Sequence, residues 1–259
     1  MSQFDLADRV AIVTGSTRGI GRAAAEELVA NGARVVISSR KAEACSEVAA
    51  AINATHGPGR AIAVPANISS REELGALVAE TTVRFGRIDI LVCNAATNPY
   101  YGPMAGIADE QFEKVLRNNI LSNHWLIQMV APGMAERGDG AIIIVSSIGG
   151  LQGSAVIGAY NISKAADMQL ARNLAVELGG SGIRVNCVAP GVVRTDFAKA
   201  LLADAEKERV VREATPLNRV GQPEDIAGAI AFLAAPASRF VTGQAIVIDG
   251  GMTISGPAA

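Results

Sequence analysis

Seven short runs of aliphatic and β-branched residues recur along this chain, each separated from the next by helix-patterned or turn-rich sequence, and few folds satisfy that alternation. The expected strands are 10–14, 34–38, 61–65, 89–93, 141–146, 183–188 and 245–248, and the expected helices 19–30, 42–54, 72–85, 109–136, 159–178 and 223–233. Several strands are apolar almost throughout, as parallel strands covered on both faces must be. Short strand–helix connections imply right-handed crossovers and one doubly wound α/β sheet of seven parallel strands with helices on both faces. No linker or composition break divides the chain, so residues 1–259 are expected to form a single domain. Asn31-Gly32 looks like a helix stop, and Ser69–Glu72 like a capping box opening the third helix. The segment 194–216 is the least regular stretch, long, charged and amphipathic, and is expected to lie above the sheet's carboxyl edge as a substrate lid.

Composition narrows the function classes. With 23 basic and 25 acidic residues the chain has no dominant basic face for nucleic acid or a membrane surface. No apolar run approaches the ~18 residues of a membrane span. The opening MSQFDLADRV lacks a signal-peptide layout, so a soluble cytoplasmic protein is expected. Cys45, Cys93 and Cys187 are isolated, and His56 and His124 form no H-E-x-x-H. With no G-x-S-x-G either, the sequence argues against metal, disulfide and hydrolytic chemistry.

The first strand runs into Gly15-Ser16-Thr17-Arg18-Gly19-Ile20-Gly21, which opens the first helix. Glycine at 15 permits a tight turn, at 19 a close approach to a pyrophosphate, and at 21 tight helix–strand packing. The helix N-terminus offers unpaired N–H groups and partial positive charge. This is a dinucleotide site of the Rossmann kind with G-x-x-x-G-x-G spacing. An NAD site usually places a carboxylate about 20 residues on. Here that stretch reads Ser38-Ser39-Arg40-Lys41. Arg40, helped by Arg18, suits a 2′-phosphate, so NADP(H) is favoured over NAD(H).

Beyond the fifth strand stand Ser147, then Tyr160 and Lys164 at i and i+4 on one helix face. A lysine beside a phenol favours the phenolate, and together with an oxidised nicotinamide ring is expected to lower a pKa that starts near ~10 towards neutral. Such a tyrosine can protonate an alkoxide as hydride arrives, and Ser147 can hydrogen-bond the same oxygen.

With TGSTRGIG, CNAA at 93–96, Asn119 in RNNILS, YNISK at 160–164, PGVVRT at 190–195 and IDGG at 248–251, the chain resembles the short-chain dehydrogenase/reductase family over nearly its whole length. The resemblance implies a catalytic tetrad of Ser147, Tyr160, Lys164 and Asn119, with Asn119 ordering a proton-relay water. It further implies Asn67 and Ile68 beside adenine, Asn94 and Ala95 along the ribose, and Val193 and Thr195 at the nicotinamide. Each asparagine also reads as an ordinary cap or turn residue. Cys93 and Ala96 depart from the family's N-N-A-G, and Asn67 from its frequent aspartate. The family also implies a homotetramer, pairing helices 109–136 and 159–178 across one axis and the last strand region across another.

Tyr100 and Tyr101 follow CNAA at the fourth strand's carboxyl edge. Tyr100 and Tyr101, with Gln152, Ile157 and parts of 197–202, are expected to line an apolar or aromatic substrate pocket beside Ser147 and Tyr160. N-A-A-x-N-P resembles the ketone-reducing branch of the family. The competing reading is reduction of 3-oxoacyl groups on acyl carrier protein, for which Gly138 and Ser181 lack the expected basic charge while Arg137 is adjacent. A non-catalytic dinucleotide-binding sensor is the alternative of another class, which Tyr160 and Lys164 speak against.

Overall fold

Strands without a polar face need cover on both sides, and the computed structural model, described for residues 2–255, shows how it is given. Strands β1 (Val10–Thr14), β2 (Arg34–Ser38), β3 (Ala61–Ala63), β4 (Ile90–Cys93), β5 (Gly140–Val145), β6 (Ile183–Pro190) and β7 (Ala245–Ile248) form one parallel sheet. Their order is β3-β2-β1-β4-β5-β6-β7. Successive side chains alternate faces. Thus Ala11 and Val13 of β1 join Val35 and Ile37 of β2 in one core, while Ile12 and Val36 join Leu91, Ile142 and Ile144 in the other. The first core is closed by α1 (Gly19–Ala30), α2 (Ala42–His56) and α8 (Pro223–Ala234). The second is closed by α3 (Arg71–Phe85), α5 (Ser122–Arg137) and α6 (Gly158–Leu178). Each fully buried Val, Leu or Ile contributes about 1.5–3 kcal/mol. This is the seven-stranded doubly wound Rossmann fold that the alternation demands.

Three expectations need correction. The helix expected over 109–136 is α4 (Asp109–Leu116), a π-helical turn at Arg117–Leu121, and α5. The wider turn buries Asn118 and Asn119 against the protein, and their side chains find partners there rather than solvent. The capping box at Ser69–Glu72 shifts by one residue. Ser70 is the cap, accepting from the Glu73 N–H at 3.2 Å, because Ser69 Oγ is spent donating to Asn118 Oδ1 at 2.7 Å. The segment 194–216 is not irregular: it holds a 3₁₀ turn at Asp196–Leu202 and the exposed, ion-paired helix α7 (Ala205–Glu213).

Candidate active site

Strand order reverses between β1 and β4, so their carboxyl ends open a crevice into which both sequence motifs fall. Asn94, just past β4, closes its floor. Its Nδ2 donates to the Thr14 carbonyl at 2.8 Å, and Thr14 Oγ1 accepts from the N–H groups of Asn94 and Ala95. A Cβ on Gly21 would come within 2.5 Å of both Asn94 Nδ2 and the Gly15 carbonyl, so glycine there is a packing requirement.

The first turn of α1 has no side-chain cap at Arg18 and no acidic residue, leaving its N–H groups to face the crevice. Gly19 has φ +55° and its missing side chain leaves room beside Thr195. Ser16 is buried and structural: its Oγ bridges the Val13 carbonyl and the Ser38 N–H, and its own N–H donates to the Ser38 carbonyl at 3.2 Å. Thr17 and Ile20 are half-buried in the loop. Arg40 is exposed at the end of β2 and makes no ion pair among the described residues, whereas Arg18 reaches across to Asp196 at 2.8 Å. Asn67 Oδ1 accepts from the Ser69 N–H, a turn contact, and Ile68 packs at the edge of the second core. Val193 is buried, and the Thr195 hydroxyl donates to its carbonyl. A cavity of about 660 Å³ lies here between Arg18, Gly19, Thr195, Asp196 and Lys199. The uncapped helix end, the glycine cradle and the exposed cation at Arg40 fit a dinucleotide phosphate.

On the other side of the crevice, Ser147 ends the strand–turn from β5 and its Oγ accepts from the Gly149 N–H at 3.0 Å. Gly150 brings that turn onto α6, where a Cβ would strike the Lys164 backbone at 2.7 Å. Lys164 Nζ lies 5.7 Å from the centre of the Tyr160 ring, and the Phe197 ring tilts against the same tyrosine at 5.4 Å. Lys164 acts on the phenol in the expected direction, but burial outweighs it. Burial holds the Tyr160 hydroxyl above its usual pKa, although the Lys164 ammonium and the Ser147 hydroxyl pull it back. Asn119 is fully buried in the π turn; its amide clasps the Thr97 backbone (2.8 and 3.0 Å) and donates to Ser163 Oγ at 3.0 Å.

The expected substrate residues separate. Tyr100 turns into its own loop, donating to the Pro103 carbonyl at 3.0 Å, while Tyr101 lies near enough to Tyr160 to oppose its ionisation. Gln152 is exposed and offers its carbonyl to Asn161 Nδ2 at 3.0 Å. One residue escaped the sequence reading: Asp167, buried at 0% exposure, pairs with Lys164 at 2.9 Å. Its signal was the i+3 spacing from Lys164 on α6.

Fold and crevice together define an oxidoreductase built around a nicotinamide dinucleotide. A family model described as enoyl-(acyl carrier protein) reductase matches residues 15–253. Human dehydrogenase/reductase SDR family member 4 is 39% identical over 247 residues, covering 95% of this chain and 88% of that protein. A gluconate 5-dehydrogenase from Burkholderia cenocepacia, solved with NADP and tartrate, superposes with TM-score 0.93 at 32% identity over 98% of both chains. A 7α-hydroxysteroid dehydrogenase solved with NADH and 7-oxo glycochenodeoxycholic acid gives 0.91 at 36% over 96% of both. The chain belongs to the short-chain dehydrogenase/reductase family.

Proposed function

We propose that this chain is an NADP(H)-dependent oxidoreductase interconverting a ketone and a secondary alcohol, with Tyr160 as general acid/base. The observation that carries this reading is the convergence, at the sheet's carboxyl edge, of the Tyr160 phenol with the Lys164 ammonium and the Ser147 hydroxyl. The nicotinamide, when bound, gives or takes the hydride. In reduction the Tyr160 O–H donates its proton to the carbonyl oxygen, and the Ser147 O–H donates a hydrogen bond to the same oxygen. Lys164 offsets the negative charge left on the phenolate. Asn119 fixes the π turn beside Lys164 and, on the family pattern, orders the relay water.

On the cofactor side we assign Gly15, Ser16, Thr17, Gly19, Ile20 and Gly21 to the phosphates. Asn67 and Ile68 go to adenine, Asn94 and Ala95 to the ribose, and Val193 and Thr195 to the nicotinamide. Arg40, with Arg18 secondary, reads the 2′-phosphate, which favours NADP(H); NAD(H) fits the same loop. We take 194–216 as the lid, since Phe197 already rests on Tyr160. With Tyr101 it gives the pocket an aromatic wall that suits an apolar carbonyl compound. The carrier-protein reading gains from the description of the matching family model and keeps 3-oxoacyl thioesters among the substrates to be tried. Arg137 gives it no support: its guanidinium donates to the Ile88 carbonyl and faces Asp89, at the sheet's opposite edge. We take the working form to be a cytoplasmic homotetramer.

NADPH consumption across ketones, aldehydes and 3-oxoacyl thioesters tests the reading. Tyr160→Phe should lower turnover about 10³-fold and leave NADPH affinity within about twofold, because it removes a proton donor and little binding surface. Turnover surviving in that variant, or a wild type inert on the whole panel, would sink it.

A further inference from the structure

Lys164 is 2% exposed and is among the largest fully buried side chains of the molecule. Taking an ammonium out of water costs several kcal/mol unless a counter-charge and hydrogen bonds replace its hydration. Both are supplied. Nζ donates to the Val145 carbonyl at 2.8 Å and to Asp167 Oδ2 at 2.9 Å. Asp167 Oδ1 accepts from Asn123 Nδ2 at 3.0 Å, and that same nitrogen donates to the Asn119 carbonyl at 2.6 Å. A buried chain of contacts therefore runs from α6 through the first turn of α5 to the π turn. Apolar residues of equal volume would usually stabilise such an interior as well or better, so the pair calls for a functional account.

We propose that Asp167, anchored by Asn123, is a positioning residue of this site, supplying the fixed counter-charge that holds the Lys164 ammonium beneath Tyr160. It touches no reacting atom and acts through the lysine. The proposal rests on the reading of Tyr160 as the acid/base. The other titratable groups facing the pair are Tyr160 itself, Cys93 from β4 and Cys187 from β6; Tyr101 reaches Tyr160, and Arg172 reaches Cys187. Burial pushes both thiols far up and keeps them neutral; burial also raises the Asp167 carboxyl, against which the Lys164 ammonium and the Asn123 amide hold it as the anion that answers Lys164. Burial alone would lower the lysine's pKa; Asp167 raises it.

Asp167→Asn keeps the side chain's size and the acceptor for Asn123 while removing the charge. Lys164 should then lose its proton earlier, leaving the phenolate without its cation, so Tyr160 should ionise later. Alcohol oxidation, which needs the phenolate, should show its rising pH limb displaced to higher pH. Turnover should fall about tenfold per unit of displacement at neutral pH and recover at the alkaline end. In parallel, ¹³Cε-lysine NMR of the nucleotide-free protein, with Lys164 assigned through Lys164→Met, should show an ammonium persisting above the free-lysine value of ~10.4 in wild type and titrating lower in the variant. A uniform loss at every pH, an acid shift of the limb, or identical lysine titrations would overturn the proposal. Should the wild type turn over none of the panel, the proposed function fails and the NMR titration still decides the role of Asp167. If Asp167→Asn does not fold, wild-type Lys164 decides alone: titration below ~10.4 refutes the counter-charge, persistence above it supports it.

Discussion

Arg40 and Arg18 both flank the nucleotide crevice, but only one has a free guanidinium. Arg18 is held by Asp196, and Asp196 also by Lys199 at 2.7 Å, so in the proposed NADP(H) reading the 2′-phosphate would fall to Arg40. Arg40→Asp should weaken NADPH binding about 10–100-fold, roughly 1.4–2.8 kcal/mol, and change NADH binding less than about threefold. Calorimetric titration with both nucleotides checks this, and equal losses would move the phosphate reader elsewhere. The buried phenol gives a second test. Without nucleotide, burial holds Tyr160 protonated, so the ultraviolet difference between wild type and Tyr160→Phe should show no phenolate until the pH passes ~10. What was legible at this scale is the placement of the motifs. Tyr160 and Lys164 sit one helical turn apart, and the glycine spacing follows a strand. The direction of the phenol's pKa was not, because sequence shows the neighbouring lysine but not the burial that outweighs it. Asp167 was visible as a letter, yet a carboxylate on a helix reads as a solvated face until the fold covers it.

At the scale of elements, the bounds of β1, β2, β7 and α1 could be read from the sequence, since apolar runs and glycine stops mark them on both sides. Local signals failed where a tertiary partner competes for them. Ser69 and Ser70 are equivalent as letters, but the former is claimed by Asn118 and the latter caps α3. Ser70→Ala should therefore cost about 1 kcal/mol in urea unfolding through lost capping, and loss from Ser69→Ala should come instead through the π turn and leave α3 protected in hydrogen exchange. The π turn itself has no sequence mark, for Asn118 and Asn119 suit an ordinary helix until their buried partners are known. The start of α8 yields a pH prediction. Arg219 and the Gln222 N–H hold the Asp225 carboxyl down at about 2. A depressed carboxylate stabilises above its unfolded pKa of ~3.9, and that contribution fades as pH falls through about 2. The pair is partly exposed, so Asp225→Asn should cost only about 0.5–1 kcal/mol at neutral pH and nothing in strong acid. A variant equally destabilised at both ends would exclude the ion pair as the cause.

At the scale of the whole molecule, what the sheet leaves uncovered matters most. The apolar runs specify a layered core, and both layers are complete within the chain. Yet many large apolar side chains remain outside, and two groups of them bear on assembly. Ile162 and Val176 stand four helical turns apart on the outer stripe of α6, and Phe240, Val247 and Ile254 flank the edge strand β7. An edge strand offers unpaired backbone groups and invites a partner unless it is blunted by charge. In the proposed homotetramer each of these two groups would meet its own copy about a two-fold axis, which would close the assembly at four chains rather than leave an open one. The proposed homotetramer should therefore sediment as one species of four chains at micromolar concentration. Val176→Glu should break one axis and Phe240→Glu the other, each leaving dimers with unchanged far-ultraviolet dichroism, and the double variant monomers. A wild type that sediments as a stable monomer would leave both patches without a role and remove the tetramer from the reading.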